Sequence, residues 1–311
     1  MHIASTLISA AVGGAFGIGS GGATVASAVA LHHGKAPRPL LMGAAGAAVF
    51  AAQMINFSIA GTGASGHIGG GFMLAAMLGP VPAYLVMSVI LTVQCLLFGD
   101  GGLLALGCNV FNMGVLPCLV IYPLLQRWMH GMRRLPTAAL GGVVSMVLGA
   151  LAVVLETALS GGAGLDMQAF ASNMLGIHVA IGIGEGLITA GLLAAYDKAF
   201  SRSARCAFGG TLGLTAVTGG LLSLFASAHP DGLEWSLLRV AGADGYGNTS
   251  AAHTLLGRIQ DTTTLLPDYA LHAVEGALSS SAASLIGCAL VFGLAISVGT
   301  VLRASAARPT A

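Results

Sequence analysis

Two small groups of nitrogen donors stand out in this sequence. One is its first two residues, Met1 and His2; the other is the loop Gly61-Thr62-Gly63-Ala64-Ser65-Gly66-His67-Ile68-Gly69-Gly70-Gly71, a run of small residues closing on one imidazole. A free α-amine, the amide nitrogen of His2 and its imidazole can wrap one metal ion in two fused small chelate rings. Only an ion able to displace the amide proton uses the amide nitrogen, which favours Ni(II) or Cu(II) in a square plane with His67 at the fourth corner. Met1 is expected to be retained because His2 is too bulky for routine removal of the initiator. Thr62, Ser65 and the loop backbone are candidates to orient the His67 ring. Taken singly each part is ordinary, since any protein can carry histidine second and a lone loop histidine is often a structural residue. The expectation rests on the combination.

Further polar residues lie in apolar surroundings. His178 and Glu185 are seven residues apart, on one helix face, with Gly182, Gly184 and Gly186 interleaved. Ionisable groups at membrane depth are costly and usually face a bundle interior or an aqueous path, so the pair reads either as part of a transport path or as a buried pair satisfied elsewhere. Gln94, Asn109 and Asn112 put amides around Phe98-Gly99-Asp100-Gly101-Gly102 and read as hydrogen bonding between helices or behind the ligands. An enzyme reading is also open: Gly63-Ala64-Ser65-Gly66 resembles the GxSG segment of rhomboid intramembrane serine proteases, with Ser65 as nucleophile and His178 as base. The order fits poorly, because rhomboids place the serine at a helix start two helices before the histidine, whereas Ser65 follows the second span and His178 lies in the seventh.

The elements that must position these residues are membrane helices. Of 311 residues 56% are hydrophobic and 7% charged, against about 25% charged in soluble domains, and the mean hydropathy is +0.88. A polytopic all-α membrane protein in contact with lipid follows. The net charge of +1 gives a nucleic-acid partner no electrostatic support. The five cysteines are scattered singly, without a CxxC pair, and read as apolar packing residues rather than disulfides or a zinc site. Glycine, with 47 residues, concentrates in the apolar runs and lets helices approach closely. No GxxxxGK[ST] motif occurs, so the chain carries no ATP site of that kind.

Apolar runs place spans at about 8–31, 40–60, 71–78 (short, ending at Pro80 and Pro82), 83–98, 103–125, 138–159 and 172–200, then 208–228 and 282–302. The first is read as a retained helix rather than a secretory signal, because no Lys or Arg precedes it while Lys35 and Arg38 follow. With the N-terminus outside and the C-terminus in the cytoplasm, ten of the twelve basic residues fall on the cytoplasmic side; Arg239 and Arg258 do not. Those two lie in a polar, extracytoplasmic segment, 229–278, which carries six acids and either raises local cation concentration or is an ordinary solvated loop.

Several ordered motifs carry a resemblance. Met1-His2-Ile3, Ala51-Ala-Gln-Met-Ile-Asn56-Phe57, Gly61 to His67, Leu97 to Gly107 with Asn109 and Asn112-Met-Gly114, and His178 to Thr189 (HVAIGIGEGLIT) resemble the substrate-binding component of cobalt/nickel energy-coupling-factor transporters, the CbiM/NikM family. The rest of the chain, with His229-Pro-Asp-Gly-Leu-Glu-Trp235, is similar to the small two-span companion subunit with a PDGLE motif, here fused. The resemblance implies a seven-helix metal-binding component over 1–200 and a companion domain over 201–311. It implies Ni(II) or Co(II) as transported substrate, held by the Met1 amine, the His2 amide and imidazole nitrogens and His67. It also implies partners: a transmembrane coupling subunit, docked on small helix faces such as that of the first helix, and two ATPase subunits. The chain would then catalyse no covalent chemistry and sit in the cell (inner) membrane. Square-planar nitrogen coordination leans to nickel, although Co(II) uses similar ligands. One departure stands: family members often continue Met-His-Ile with Pro-Asp-Gly, where this chain has Ala4-Ser5-Thr6, so residues that stiffen the entry to the first helix are missing. A secondary carrier or channel for divalent cations, working without ATPases, is the alternative.

Overall fold

The computed structural model describes residues 2–33, 38–241, 246–271 and 277–306. Its apolar runs are helical, because a segment in lipid has to satisfy its own backbone N–H and C=O groups. Helix α1 (Ala10–His33) is followed by α2 (Pro39–Gln53), a hairpin of β1 (Phe57–Ile59) and β2 (Ala64–Gly66), α3 (Gly71–Leu78) and α4 (Pro80–Val93). A wider turn carries α4 on to Phe98. Then α5 (Leu106–Val110) runs through wide turns around Pro117 into α6 (Tyr122–Leu125). The long α7 (Arg134–Leu159) and α8 (Met167–Arg202) form a closely packed pair, tied by Arg134, whose Nε and Nη2 donate to the two carboxylate oxygens of Asp197 at 2.6 and 2.9 Å.

The remaining helices are α9 (Ala204–Gly220), α10 (Gly232–Val240), α11 (Ala251–Thr263) and α12 (Ala277–Ala306). Of these, α9 and α12 pack against α2, so the two last spans wrap the helix that leads into the His67 loop. Short α10 and α11 lie in the polar segment. Asp231 caps α10 by accepting from the backbone N–H groups of Leu233 and Glu234, both at 2.9 Å, while Glu234 accepts in return from the N–H of Asp231. That reciprocal arrangement is why Asp-Gly-Leu-Glu starts a helix here.

Seven helices among the described residues are long and apolar enough to cross a membrane. The other two expected spans are shorter. The second does not run to residue 60: α2 stops at Gln53 after 15 residues, and the chain turns through 54–56 into the hairpin. Twelve of those residues are buried, so α2 is enclosed by other helices rather than bathed in lipid. α3 has only eight residues, as its two flanking prolines foretold. The hairpin pairs Phe57 with Gly66 and Ile59 with Ala64, and its turn uses Gly61 and Gly63 at φ of 76° and 72°, backbone open to glycine at little cost.

The first helix is held at one point by bare backbone. A Cβ at Gly107 on α5 would fall against the backbone of Gly17 on α1, and Ser20 seals the same crossing by donating to the Gly107 carbonyl at 2.7 Å. Gly107→Ala is expected to cost about 1–3 kcal/mol by overpacking. Thermal unfolding in detergent should show a lower midpoint; an unchanged midpoint would mean the two helices separate freely.

Candidate metal site

His2 enters from an extended segment that runs beside the loop at 99–104. The N–H of Ile3 donates to Asn109 Oδ1 at 2.8 Å, and the N–H of Gly102 donates to the Ile3 carbonyl at 2.8 Å. Asn109 Nδ2 also donates to that carbonyl, at 3.3 Å. One buried amide thus brackets both backbone groups of the residue next to His2. The His2 ring lies with Nδ1 3.1 Å from Asp100 Oδ1 and Nε2 3.1 Å from Gln94 Oε1. Tyr269 donates to the other Asp100 oxygen at 2.6 Å. Burial works against ionisation of Asp100, but His2 and the Tyr269 hydroxyl outweigh it and hold the carboxyl below its usual range.

The loop histidine comes from the far side. His67 follows β2 directly, and its ring stacks on that of His2 with centroids 5.7 Å apart and planes 12° from parallel. Its Nδ1 donates to the carbonyl of Ile68 at 3.1 Å, which leaves Nε2 with the lone pair. Burial above all pushes the His67 pKa down to about 3, so the ring is neutral and able to bind a cation at ordinary pH. The loop itself is clamped. Glu185 of α8 accepts from the N–H groups of Gly69 and Gly70 at 2.8 and 3.0 Å, and Gln53 donates to the Gly69 carbonyl at 2.8 Å.

The polar segment closes over both histidines. The N–H of Ser65 donates to the Pro230 carbonyl at 2.8 Å, so the Pro-Asp-Gly run meets β2 through a single parallel bridge, and Ser65 Oγ donates to the His229 carbonyl at 2.8 Å. Trp235 donates from its indole to the Thr62 carbonyl at 2.9 Å. Asp231 Oδ2 lies 3.9 Å from His67 Nε2. Burial opposes ionisation of Asp231, yet the N–H of Glu234 that it accepts from helps to keep its carboxyl low. Further along, His253 Nε2 lies 3.1 and 3.0 Å from the carbonyls of Ser5 and Ile8, and the N–H of Asn248 donates to the Thr6 carbonyl at 2.6 Å. Gln260 holds the 99–104 loop by donating to the Gly101 carbonyl at 2.7 Å and accepting from the N–H of Leu103 at 3.0 Å. The entry that lacks Pro-Asp-Gly is therefore gripped by α11 and the extended segment before it. A cleft of about 1260 Å³ is lined by His2, His67, Asp100 and Asp231 together with residues of this segment.

The residues singled out in the sequence divide clearly. His2 and His67 meet. Met1 lies outside the described residues. Gln94 and Asn109 touch His2 and Ile3 directly, and Glu185 fixes the His67 loop from its backbone. Ser65 and Thr62 do not contact the His67 ring by any hydrogen bond described above; they anchor the polar segment, and Thr62 also closes the hairpin turn by donating to the Ile59 carbonyl at 2.8 Å. Asn112 donates to Glu156 at 2.8 Å, deeper in the bundle. His178 donates from Nδ1 to the Met174 carbonyl at 2.7 Å and packs beneath Gly232, where a Cβ would stand 2.7 Å from its ring. It props the start of α10, while Ser65 Oγ is committed to a carbonyl, an arrangement that gives the nucleophile–base reading no support. Asp100, Asp231 and Gln53 were missed as site residues. Gln53 and Asp100 each interrupt an apolar stretch with a polar group, a signal visible in the sequence; Asp231 is separated from His67 by more than 160 residues.

A polytopic helical membrane protein with two stacked histidines in a polar cleft is the class these features define. A family model described as the cobalt uptake substrate-specific transmembrane region, CbiM, matches residues 2–203, and one described as the PDGLE domain matches residues 205–304. The chain belongs to the CbiM family of cobalt/nickel transport components and carries a PDGLE domain behind it. A fused nickel transport protein NikMN of Rhodobacter capsulatus is 30% identical over 80% of this chain and 83% of its own length. A putative fused nickel transport protein NikMN of Archaeoglobus fulgidus is 39% identical over 49% of this chain, the match spanning about half (51%) of that protein. Among solved structures, a truncated transition metal transporter is 29% identical and superposes with a TM-score of 0.54, over 63% of this chain and 97% of that one.

Proposed function

We propose that this chain is the ion-capturing subunit of an ATP-driven Ni(II) or Co(II) importer, with the metal as cargo. Residues 1–200 would form the capture component and 201–311 a fused companion. The observation that carries the reading is the stacked pair His2 and His67 at the start of the chain, since an N-terminal chelate needs its second residue beside the loop ligand. Of the His2 ring nitrogens only Nδ1 can close a small ring with its own amide nitrogen, so the donor set would be the Met1 amine, His2 N and Nδ1, and His67 Nε2. All are nitrogen, which suits Ni(II) and Co(II). Asp100 and Asp231 place negative charge beside the two rings and draw the cation in. The site faces outward when the N-terminus is extracytoplasmic, an orientation that the charge distribution of the loops supports. Energy would come from a coupling subunit and two ATPases; the largely uncovered α1 offers a face for the former. The secondary-carrier reading has no observation of its own in its favour.

The experiment is uptake of radioactive nickel and cobalt into vesicles holding this chain, with and without the coupling and ATPase subunits. Import only in their presence, and only with ATP, is the expected result. Uptake by the chain alone down an ion gradient would establish a carrier.

A further inference from the structure

We infer that Gln53, which touches no ligand atom, is a positioning residue for ion capture: through Gln94 it determines which nitrogen of His2 keeps the ring hydrogen and which is left open to the ion. The inference rests on the capture reading above. It starts from the Gly69 carbonyl, which can only accept a hydrogen bond and is fixed because the N–H groups of Gly69 and Gly70 are held by Glu185. Gln53 therefore has to present its amide Nε2 there, at 2.8 Å. That turns Gln53 Oε1 toward Gln94, whose Nε2 donates to it at 2.8 Å. Gln94 Oε1 is then turned toward His2 Nε2, 3.1 Å away. An amide oxygen accepts only, so His2 Nε2 carries the hydrogen and donates. The polarity of the whole relay is set at one end by a backbone carbonyl and read out at the other as the hydrogen position on an imidazole.

The outcome suits the chelate. Nδ1 faces an acceptor as well, Asp100 Oδ1 at 3.1 Å, so in the neutral ring Gln94 and Asp100 compete for one hydrogen; the relay holds it on Nε2 and leaves Nδ1 for the six-membered ring with its own amide nitrogen. Were Gln94 to flip, its NH₂ group would face Nε2, the hydrogen would go to Nδ1 and Asp100, and the chelating nitrogen would be blocked. The same two amides span the distance between the His67 loop and His2, so they also hold the two rings at their spacing. Both are almost fully buried, Gln53 at 3% and Gln94 at 0% exposure. Amides in such a place are stable only with their polar atoms satisfied, which keeps the relay in one orientation.

The test compares the full chain with Gln53→Leu and Gln53→Glu in detergent. Nickel chloride titration reads affinity, and NMR of the metal-free protein with ¹⁵N-labelled histidine reads the Nε2–H of His2, assigned with His2→Gln. Gln53→Leu frees Gln94 to flip: the Nε2–H signal weakens, and affinity falls about 10–100-fold, the range for groups behind a metal ligand. Gln53→Glu keeps an acceptor for Gln94 but loses the bond to Gly69, so the signal persists and the affinity loss is smaller. A Gln53→Leu protein that unfolds normally, binds nickel within twofold of the parent and keeps the His2 signal overturns the inference; if it does not fold, the Glu variant carries the same comparison, and loss of its signal overturns it. Should the unaltered chain fail to bind nickel, the capture reading falls, while the metal-free signal still judges the relay.

Discussion

Acetylation of the Met1 amine should abolish tight nickel binding although it leaves both histidines and the whole loop intact. The acetyl group turns the amine into an amide and supplies no new amine, so two fused rings become one. Affinity is expected to fall by about 100-fold or more, beyond the 10–100-fold typical of changes behind the ligands. His67→Ala should match it, since that substitution removes the fourth donor. The measurement is nickel titration followed by visible absorption, where the parent should show the spectrum of a planar nickel centre. Equal binding by the acetylated and unacetylated chains would remove the amine from the donor set and shift attention to His178 and Glu185, the ionisable groups on one face of α8.

The second large effect is expected at Gly102. The N–H of Gly102 donates to the Ile3 carbonyl, and a Cβ on this residue would collide with the backbone of Ser5. Gly102→Ala therefore has to push the whole 2–5 segment outward, with His2 on it. Nickel affinity should drop about as far as when an essential positioning group is lost, 10–100-fold. The helical bundle should persist, because Gly102 lies in a loop between spans. Gly191→Ala is the control: nothing lies within 4 Å of a Cβ there, and binding should be unchanged. Circular dichroism alongside the titration separates displacement of His2 from unfolding. An alanine variant that binds as tightly as the parent would show that the segment yields without moving its ligand.

His2 and His67, which the fold brings together, were legible because the chemistry proposed for them is local: an amine, an amide and an imidazole within two residues, and a histidine isolated among glycines. The membrane class was legible from hydropathy, and the ends of α3 from its prolines. What surrounds the ligands was not. Ser65 looked like a group that orients His67 or a nucleophile, and only the fold reveals that its backbone and hydroxyl hold the 229–230 carbonyls. Asp231 was visible as part of Pro-Asp-Gly-Leu-Glu, yet nothing local announces that the carboxylate capping α10 also stands beside His67. The second span was read seven residues too long because Met54 to Ala60 is nearly as apolar as the helix before it, while strand pairing with β2 is a contact between distant residues. The Gln53–Gln94 relay depends on a carbonyl orientation, and a sequence records no orientations.

Only Ser203 separates the end of α8 from the start of α9, so the polar segment that presses on the His67 loop is tethered to the helices it covers. In a two-chain arrangement that contact would depend on how much companion is made and how often it finds its mate. Covalent linkage gives it instead an effective concentration on the order of millimolar, independent of expression level. Each copy of the loop then always has one partner and never competes for it. Contacts as small as the pair of bonds from Ser65 are sufficient under those conditions, and they are free to stay weak. In the import proposed above, weakness would be an advantage for a covering that has to open each time an ion passes.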